Sequence, residues 1–429
     1  MVASRQIPDA RETDRLAYID GLRGVAIALV LAFHAWKYWR APEASDAGGG
    51  RWDAASSLAG WGYQGVSLFL VISGFLLSLP VLRRRHDGAA VWFRPSEFFA
   101  RRCLRILPPY YAALTLMVAT SLLLDQRPES YLSVIGPAPD TGNVVSHLFL
   151  VHNLTRHAYL LNGSFWSLGL EWQWYFVFPF LLLLCLRSTV GALTATTGLV
   201  IVWHVALHDL WGIGALPARL FEFCCGMVAA QLVAGQRRIP CPGLVLGMLP
   251  PVFLVAAPYL PPAAAVPGQA LDRLGLEQHP WGIMFASLLL LGGRSRAVNA
   301  VLRWRPLVRL GLVSYSVYLV HEPIVEAVET LTPIAVQRSP VVLILAIAAS
   351  TTAGTLFHLL VERPCMSRRT WLHVGPVLTN AFRCTDVAAR WLGVFGPALT
   401  VWQPPVLAAG ADSATRVKVG SRPRRGRWR

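Results

Sequence analysis

The stretch that decides how this chain folds is Tyr18–Trp39, YIDGLRGVAIALVLAFHAWKYW. It is apolar enough to enter a bilayer, yet Arg23 stands near its start and His34 in its interior. A helix advances about 1.5 Å and turns about 100° per residue, so the eleven-residue step from Arg23 to His34 covers roughly 16 Å and roughly three whole turns. The two side chains therefore point the same way. Ionisable groups at membrane depth are costly and mark function. An arginine at the inner boundary, in line with an imidazole deeper in, suits a substrate with an anionic end at the membrane face and a reactive end within it.

The rest of the sequence extends this reading. Of its 429 residues 54% are apolar and only 14% are charged, with 16 Trp, which points to an all-α polytopic membrane protein rather than to two or three soluble domains. About ten transmembrane helices are expected, near 18–39, 60–82, 106–124, 164–186, 190–211, 216–234, 241–259, 281–293, 307–327 and 339–361. Charge supports the count, because Arg187, Arg237 with Arg238, Arg294 with Arg296 and Arg303, and Arg363 with Arg368 and Arg369 fall at even-numbered boundaries. Inner segments then collect about twenty Lys and Arg against about half a dozen outside, which places both termini in the cytoplasm. Gly48, Gly49 and Gly50 belong to a flexible outer loop. His147–Leu154, HLFLVHNL, is too short to cross and is expected as a re-entrant or interfacial piece of a long outer loop.

Residues 1–17 read as a cytoplasmic lead, 18–370 as the membrane domain and 371–429 as a basic cytoplasmic tail. The first apolar run has no small-residue cleavage site after it and reads as an uncleaved anchor. The tail holds an apolar patch, Trp391–Trp402, interrupted by Pro397, and the basic run SRPRRGRWR, so it is expected either disordered or bound to anionic head groups. The net charge of +16 is first a topology signal, and nucleic acid is a poor partner for such a chain. Seven cysteines without CxxC spacing imply neither a disulfide framework nor a zinc site, and His204 with His208 lacks a third ligand, so no metal is expected.

Four further stretches carry polar groups into apolar surroundings. GYQGVSLFLVISGF (Gly62–Phe75) places Gly65, Ser73 and Gly74 on the second span, where small residues allow close helix packing. FFARRCLRILPPYY (Phe98–Tyr111) runs an arginine cluster into the third span. Arg102 and Arg105 share a face there and suit phosphate capture, and Pro108 with Pro109 bends or starts the span. SFWSLGLEWQWYFVFP (Ser164–Pro179) carries Glu171, which must pair or stay protonated; by residue count its depth nearly equals that of His34. SYSVYLVHEPI (Ser314–Ile324) carries His321, with Ser314 two turns below on the same face. Glu362, in VERP (Val361–Pro364), reads as a helix end salt-bridged to Arg363, Arg368 and Arg369.

In this order the motifs resemble the acyltransferase-3 family of bacterial membrane acyltransferases over about residues 16–370: DGLRG with Arg23 and His34, GVSLFLVISGF, the RxxR pair Arg102 and Arg105, WSL with Glu171, SYSVYLVHEP, and ERP. The resemblance implies an enzyme that takes an acyl group, most often acetyl, from cytoplasmic acyl-CoA and gives it to a hydroxyl of a carbohydrate, a glycolipid or a glycosylated natural product. Catalytic roles then fall to His34, Glu171 and His321, and donor binding to Arg23, Arg102 and Arg105. His34 would be general base or transient acyl carrier, with Glu171 orienting its ring. Trp172 and Trp174 depart from the usual residues of the family and are expected to alter the acceptor pocket. No linker to a separate esterase-like domain is evident, so the membrane part is expected to transfer alone or with a separate partner. The location expected is the cell membrane. A transporter or flippase with buried Glu and His as proton relay is the rival, and the absence of two related halves speaks against it.

Overall fold

The computed structural model describes residues 10–39, 59–86, 93–124, 139–155, 157–207, 219–237, 240–249, 275–333 and 339–391. Among these every regular element is helical. The helices are α1 (Ala10–Trp39), α2 (Gly65–His86), α3 (Pro95–Leu124), α4 (Thr141–Leu148), α5 (Trp166–Arg187), α6 (Thr189–Val202), α7 (Leu220–Ala234) and α8 (Cys241–Leu246). They continue as α9 (His279–Gly292), α10 (Arg296–Leu302), α11 (Arg305–Leu312), α12 (Ser314–Leu331), α13 (Pro340–Phe357), α14 (Arg368–Ala381) and α15 (Arg383–Trp391).

Six helices among the described residues are long and apolar enough to cross a bilayer: Ala17–Lys37, Trp61–His86, Pro95–Leu123, Gly163–Arg187, Thr189–Ala206 and Pro340–Cys365. The chain is therefore an all-helical membrane protein. Two further expected spans appear as the apolar helices α7 and α9, of 15 and 14 residues. At about 1.5 Å per residue each covers little more than 20 Å, short of a core about 30 Å thick. The expected span 307–327 is divided at Val313, because α11 carries Arg305 and Arg309 and only α12 continues inward. Much of the expected span 241–259 lies outside the described residues, as do the Gly48–Gly50 loop and the SRPRRGRWR end.

His147–Leu154 does not cross: the eight residues of α4 end at Leu148, with Phe149 as the C-cap, and a single short turn at His152–Leu154 leads on toward α5. The tail differs from expectation. Residues 368–381 and 383–391 are helical, and the expected boundary at 370 cuts through α14, whose start is capped by Ser367 accepting from the Thr370 N–H. Among its contacts, Phe382 stacks on Phe99 of α3 at 5.5 Å.

The core forms where α2, α5 and α7 meet. Trp174, Phe178 and Phe223 are fully buried there, with Trp174 and Phe223 5.2 Å apart. Gly74 and Gly226 explain how α2 and α7 come so close. A Cβ on Gly74 would strike the carbonyl oxygen of Phe223, and one on Gly226 would strike that of Val71. This reciprocal backbone contact is what small residues permit between membrane helices. It fixes α2, which walls both chambers described next.

Candidate functional site

Two chambers meet inside the helix bundle. The first, about 910 Å³ including its open mouth, is lined by Arg23 from α1, Arg102 and Arg105 from α3, Glu171 and Tyr175 from α5, and Ser314, Tyr315 and Tyr318 from α12. Three guanidinium groups thus face one carboxylate. Glu171 is held by two hydroxyl donors, Tyr175 at 2.6 Å and Ser73 at 3.1 Å. Arg23 lies 3.7 Å from Asp20. Arg102 lies against the rings of Phe98 and Tyr175, and its buried Nε has no hydrogen-bond partner. Ser314 Oγ is also buried without a partner. Buried donors left unmade are costly, and a cavity with surplus cations and an unused guanidinium N–H is built to receive an anion.

The second chamber, about 920 Å³ with its mouth, is lined by His34 and Phe33 of α1, Tyr63, Tyr159, Ser164, Trp166 and Glu322 among others. Its polar groups form one chain of contacts. His321 Nδ1 lies 2.9 Å from the carbonyl of Tyr318, an acceptor only, so Nδ1 carries the proton and Nε2 the lone pair. That Nε2 is 3.2 Å from His34 Nδ1, which also lies 3.0 Å from the carbonyl of Val30. His34 Nδ1 must then be the protonated nitrogen. Its Nε2 keeps a lone pair, with Glu322 Oε1 3.6 Å away. Glu322 is fixed in turn by Ser164, whose hydroxyl donates to Oε2 at 2.7 Å. A proton taken up at His34 Nε2 would meet a buried carboxylate.

Val66 and Tyr318 line both chambers. The Tyr318 hydroxyl donates to the Ser164 carbonyl at 2.9 Å and sits 2.6 Å from Ser167 Oγ, so the partition is pinned from both sides.

The structure brings together what the sequence grouped, with one exchange. Arg23, Arg102 and Arg105 share the first chamber, and His34, which lines the second, meets the fully buried His321. Glu171 is not beside His34. Equal depth leaves direction open, and α5 turns Glu171 toward the arginines while α12 supplies Glu322 to the imidazole. Glu322 was missed although it directly follows His321; an acid inside an apolar helix was the available signal. Trp174 lies in the core and Trp172 packs on Tyr175 and Phe176, so neither lines the chamber that holds His34. Glu362 turns inward, accepting from Ser316 at 2.5 Å and lying 2.9 Å from His358 Nδ1, and among the described side chains it forms no ion pair with Arg363 or Arg369. No group of three metal-ligating side chains occurs among the described residues.

A family model described as an acyltransferase domain matches residues 16–359. A candidate peptidoglycan O-acetyltransferase of Bacillus subtilis is 24% identical over 393 residues, covering 83% of this chain and 56% of its own length. The peptidoglycan O-acetyltransferase of Listeria monocytogenes is 24% identical over 377 residues, 81% of this chain and 55% of its length. A candidate membrane-bound transacylase of Komagataeibacter xylinus is 28% identical over 333 residues, 71% and 72% of the two chains. The chain thus spans little more than half the length of the two peptidoglycan relatives. No solved structure matches it significantly. Since the family model takes in both histidines, all three chamber arginines and the partition between them, the chain belongs to the acyltransferase-3 family of membrane proteins.

Proposed function

We propose that this protein is an O-acyltransferase of the cell membrane that moves an acyl group, acetyl in the simplest case, from acyl-CoA to a hydroxyl of a carbohydrate or other glycosylated acceptor. One observation carries the reading: a cation-rich chamber with an unused Arg102 N–H shares a wall with a chamber whose histidine keeps its lone pair free. The first suits the phosphates of the donor, the second a hydroxyl to be deprotonated. The names of the relatives, which concern peptidoglycan and transacylation, support acetyl transfer to a glycan.

In this reading Arg23, Arg102 and Arg105 hold the donor phosphates while Glu171 positions Tyr175 and limits the positive charge. The pantetheine arm reaches past Tyr318 toward His34. His34 Nε2 takes the proton of the acceptor hydroxyl as its oxygen bonds to the thioester carbon; the C–S bond then breaks and the leaving thiolate collects that proton. His321 holds the required tautomer, and Glu322 stabilises the imidazolium. We read the chain as ten spans with both termini and the arginine chamber on the cytoplasmic side, following the positive-inside bias.

Purified protein in lipid nanodiscs, incubated with radiolabelled acetyl-CoA and glycan fragments, tests the assignment. Label transferred to the glycan is expected. No transfer, with solute uptake by the same protein in vesicles, would replace the enzyme with a carrier.

A further inference from the structure

We infer that the C-terminal helix pair α14 and α15 is a clamp on the arginine-bearing helix α3, with Asp386 as the positioning residue for Arg102 and Arg105; the donor consequence rests on the reading given above. The start of α3 is badly provided for by its own sequence. Pro95 has no N–H, the Phe98 N–H reaches the Arg94 carbonyl at 3.0 Å, and Arg94 offers no side-chain acceptor for the amides between. Asp386, 290 residues away in sequence, supplies the acceptor: its Oδ1 accepts from the Ser96 N–H at 2.9 Å and its Oδ2 from the Ser96 hydroxyl at 2.6 Å. A carboxylate also suits the positive end of the helix dipole. Two further contacts continue along the same turns, Phe382 stacked on Phe99 and the Arg101 guanidinium 5.6 Å over the Trp371 ring.

These three contacts fall at Ser96, Phe99 and Arg101, immediately before Arg102. Arg102 and Arg105 lie roughly 9 and 14 Å along the helix from Ser96, so the direction of α3 at its capped end sets where both guanidinium groups point. Helices α14 and α15 lie beyond the segment 16–359 that the family model matches. The clamp therefore reaches the matched domain from outside it.

The test uses the full chain in nanodiscs with coenzyme A as probe, comparing Asp386→Ala, Asp386→Asn, Ser96→Ala and the double variant Ser96→Ala/Asp386→Ala. Titration should show Asp386→Ala weakening coenzyme A binding by roughly 3- to 10-fold, the scale of a lost helix cap. The turnover rate at saturating donor should be unchanged, and amide exchange should rise at residues 96–101. Asp386→Asn, whose amide oxygen still accepts from Ser96 N–H, should lie between the two. The double variant should bind no worse than Asp386→Ala. Raised exchange with unchanged affinity would make Asp386 a structural cap only and overturn the positioning role; unchanged exchange would overturn the clamp. Arg102→Gln in parallel separates the two readings, since unchanged coenzyme A affinity there removes the donor assignment and leaves exchange as the sole judge of the clamp. If Asp386→Ala does not accumulate, Asp386→Asn carries the same readouts.

Discussion

The two chambers treat their charges in opposite ways. In the histidine chamber the polar atoms near the imidazoles are linked, from the Tyr318 carbonyl through His321 to His34, and from Ser164 to Glu322. In the arginine chamber three cations share one carboxylate and Arg102 Nε has no partner. The first is organised without a ligand, whereas the second, under the proposed function, is completed by one. Preorganised dipoles serve a transition state, and an unfilled donor set serves binding. The difference teaches that mutations in the two regions should separate into rate and affinity effects.

The largest expected effect breaks the histidine side. His34→Ala should lower transfer by about 10³-fold or more, the upper reach of general base catalysis, while membrane insertion and coenzyme A binding persist. Activity retained in a labelled-acetate assay would remove His34 from the mechanism. Glu322→Gln should lower kcat by about 10²-fold through loss of the charge that meets the imidazolium. Glu171→Gln, by contrast, should leave kcat within a few-fold and shift mainly the donor KM; equal kcat losses in both would erase the distinction between the chambers. Arg102→Gln should raise the donor KM by about 10-fold or more, in keeping with a charge-assisted hydrogen bond, and a kcat effect instead would place Arg102 in the chemistry. The smallest effect is Gly163→Ala. The added Cβ would lie 2.8 Å from Glu322 Oε1, and a displacement that small should cost a few-fold in kcat, read against an unchanged donor KM.

Much of this arrangement is legible in the sequence, because helical periodicity fixes which residues share a face. Arg23 with His34 and Arg102 with Arg105 depend only on spacing within one helix, and each member lines a chamber. Relations between helices are harder to read. Glu171 and His34 were matched by depth, but rotation of α5 about its own axis is set by packing of Trp174 and Phe178 against Phe223, which no one-dimensional count supplies. The same limit hid Glu322, which sits on the helix of His321 and meets an imidazole 288 residues earlier. It hid Asp386 too, whose partner Ser96 lies in another quarter of the chain. Short α7 and α9 were legible as apolar segments, while their span count was not, since 15 and 14 residues fall below the thickness of the bilayer.

The Tyr318 partition has a consequence for what the bilayer has to let through. The Tyr318 phenol, tethered to Ser164 and Ser167, stands with Val66 between the chamber proposed for a large, highly charged nucleotide and the chamber proposed for an alcohol. Under the proposed chemistry the pantetheine arm carries the acyl group past that point and is withdrawn without it, so only the small acyl fragment stays beyond and the coenzyme returns to the side from which it came. The cell would export an ester without ever exporting the carrier, and the ion barrier of the membrane would stay intact through each turnover.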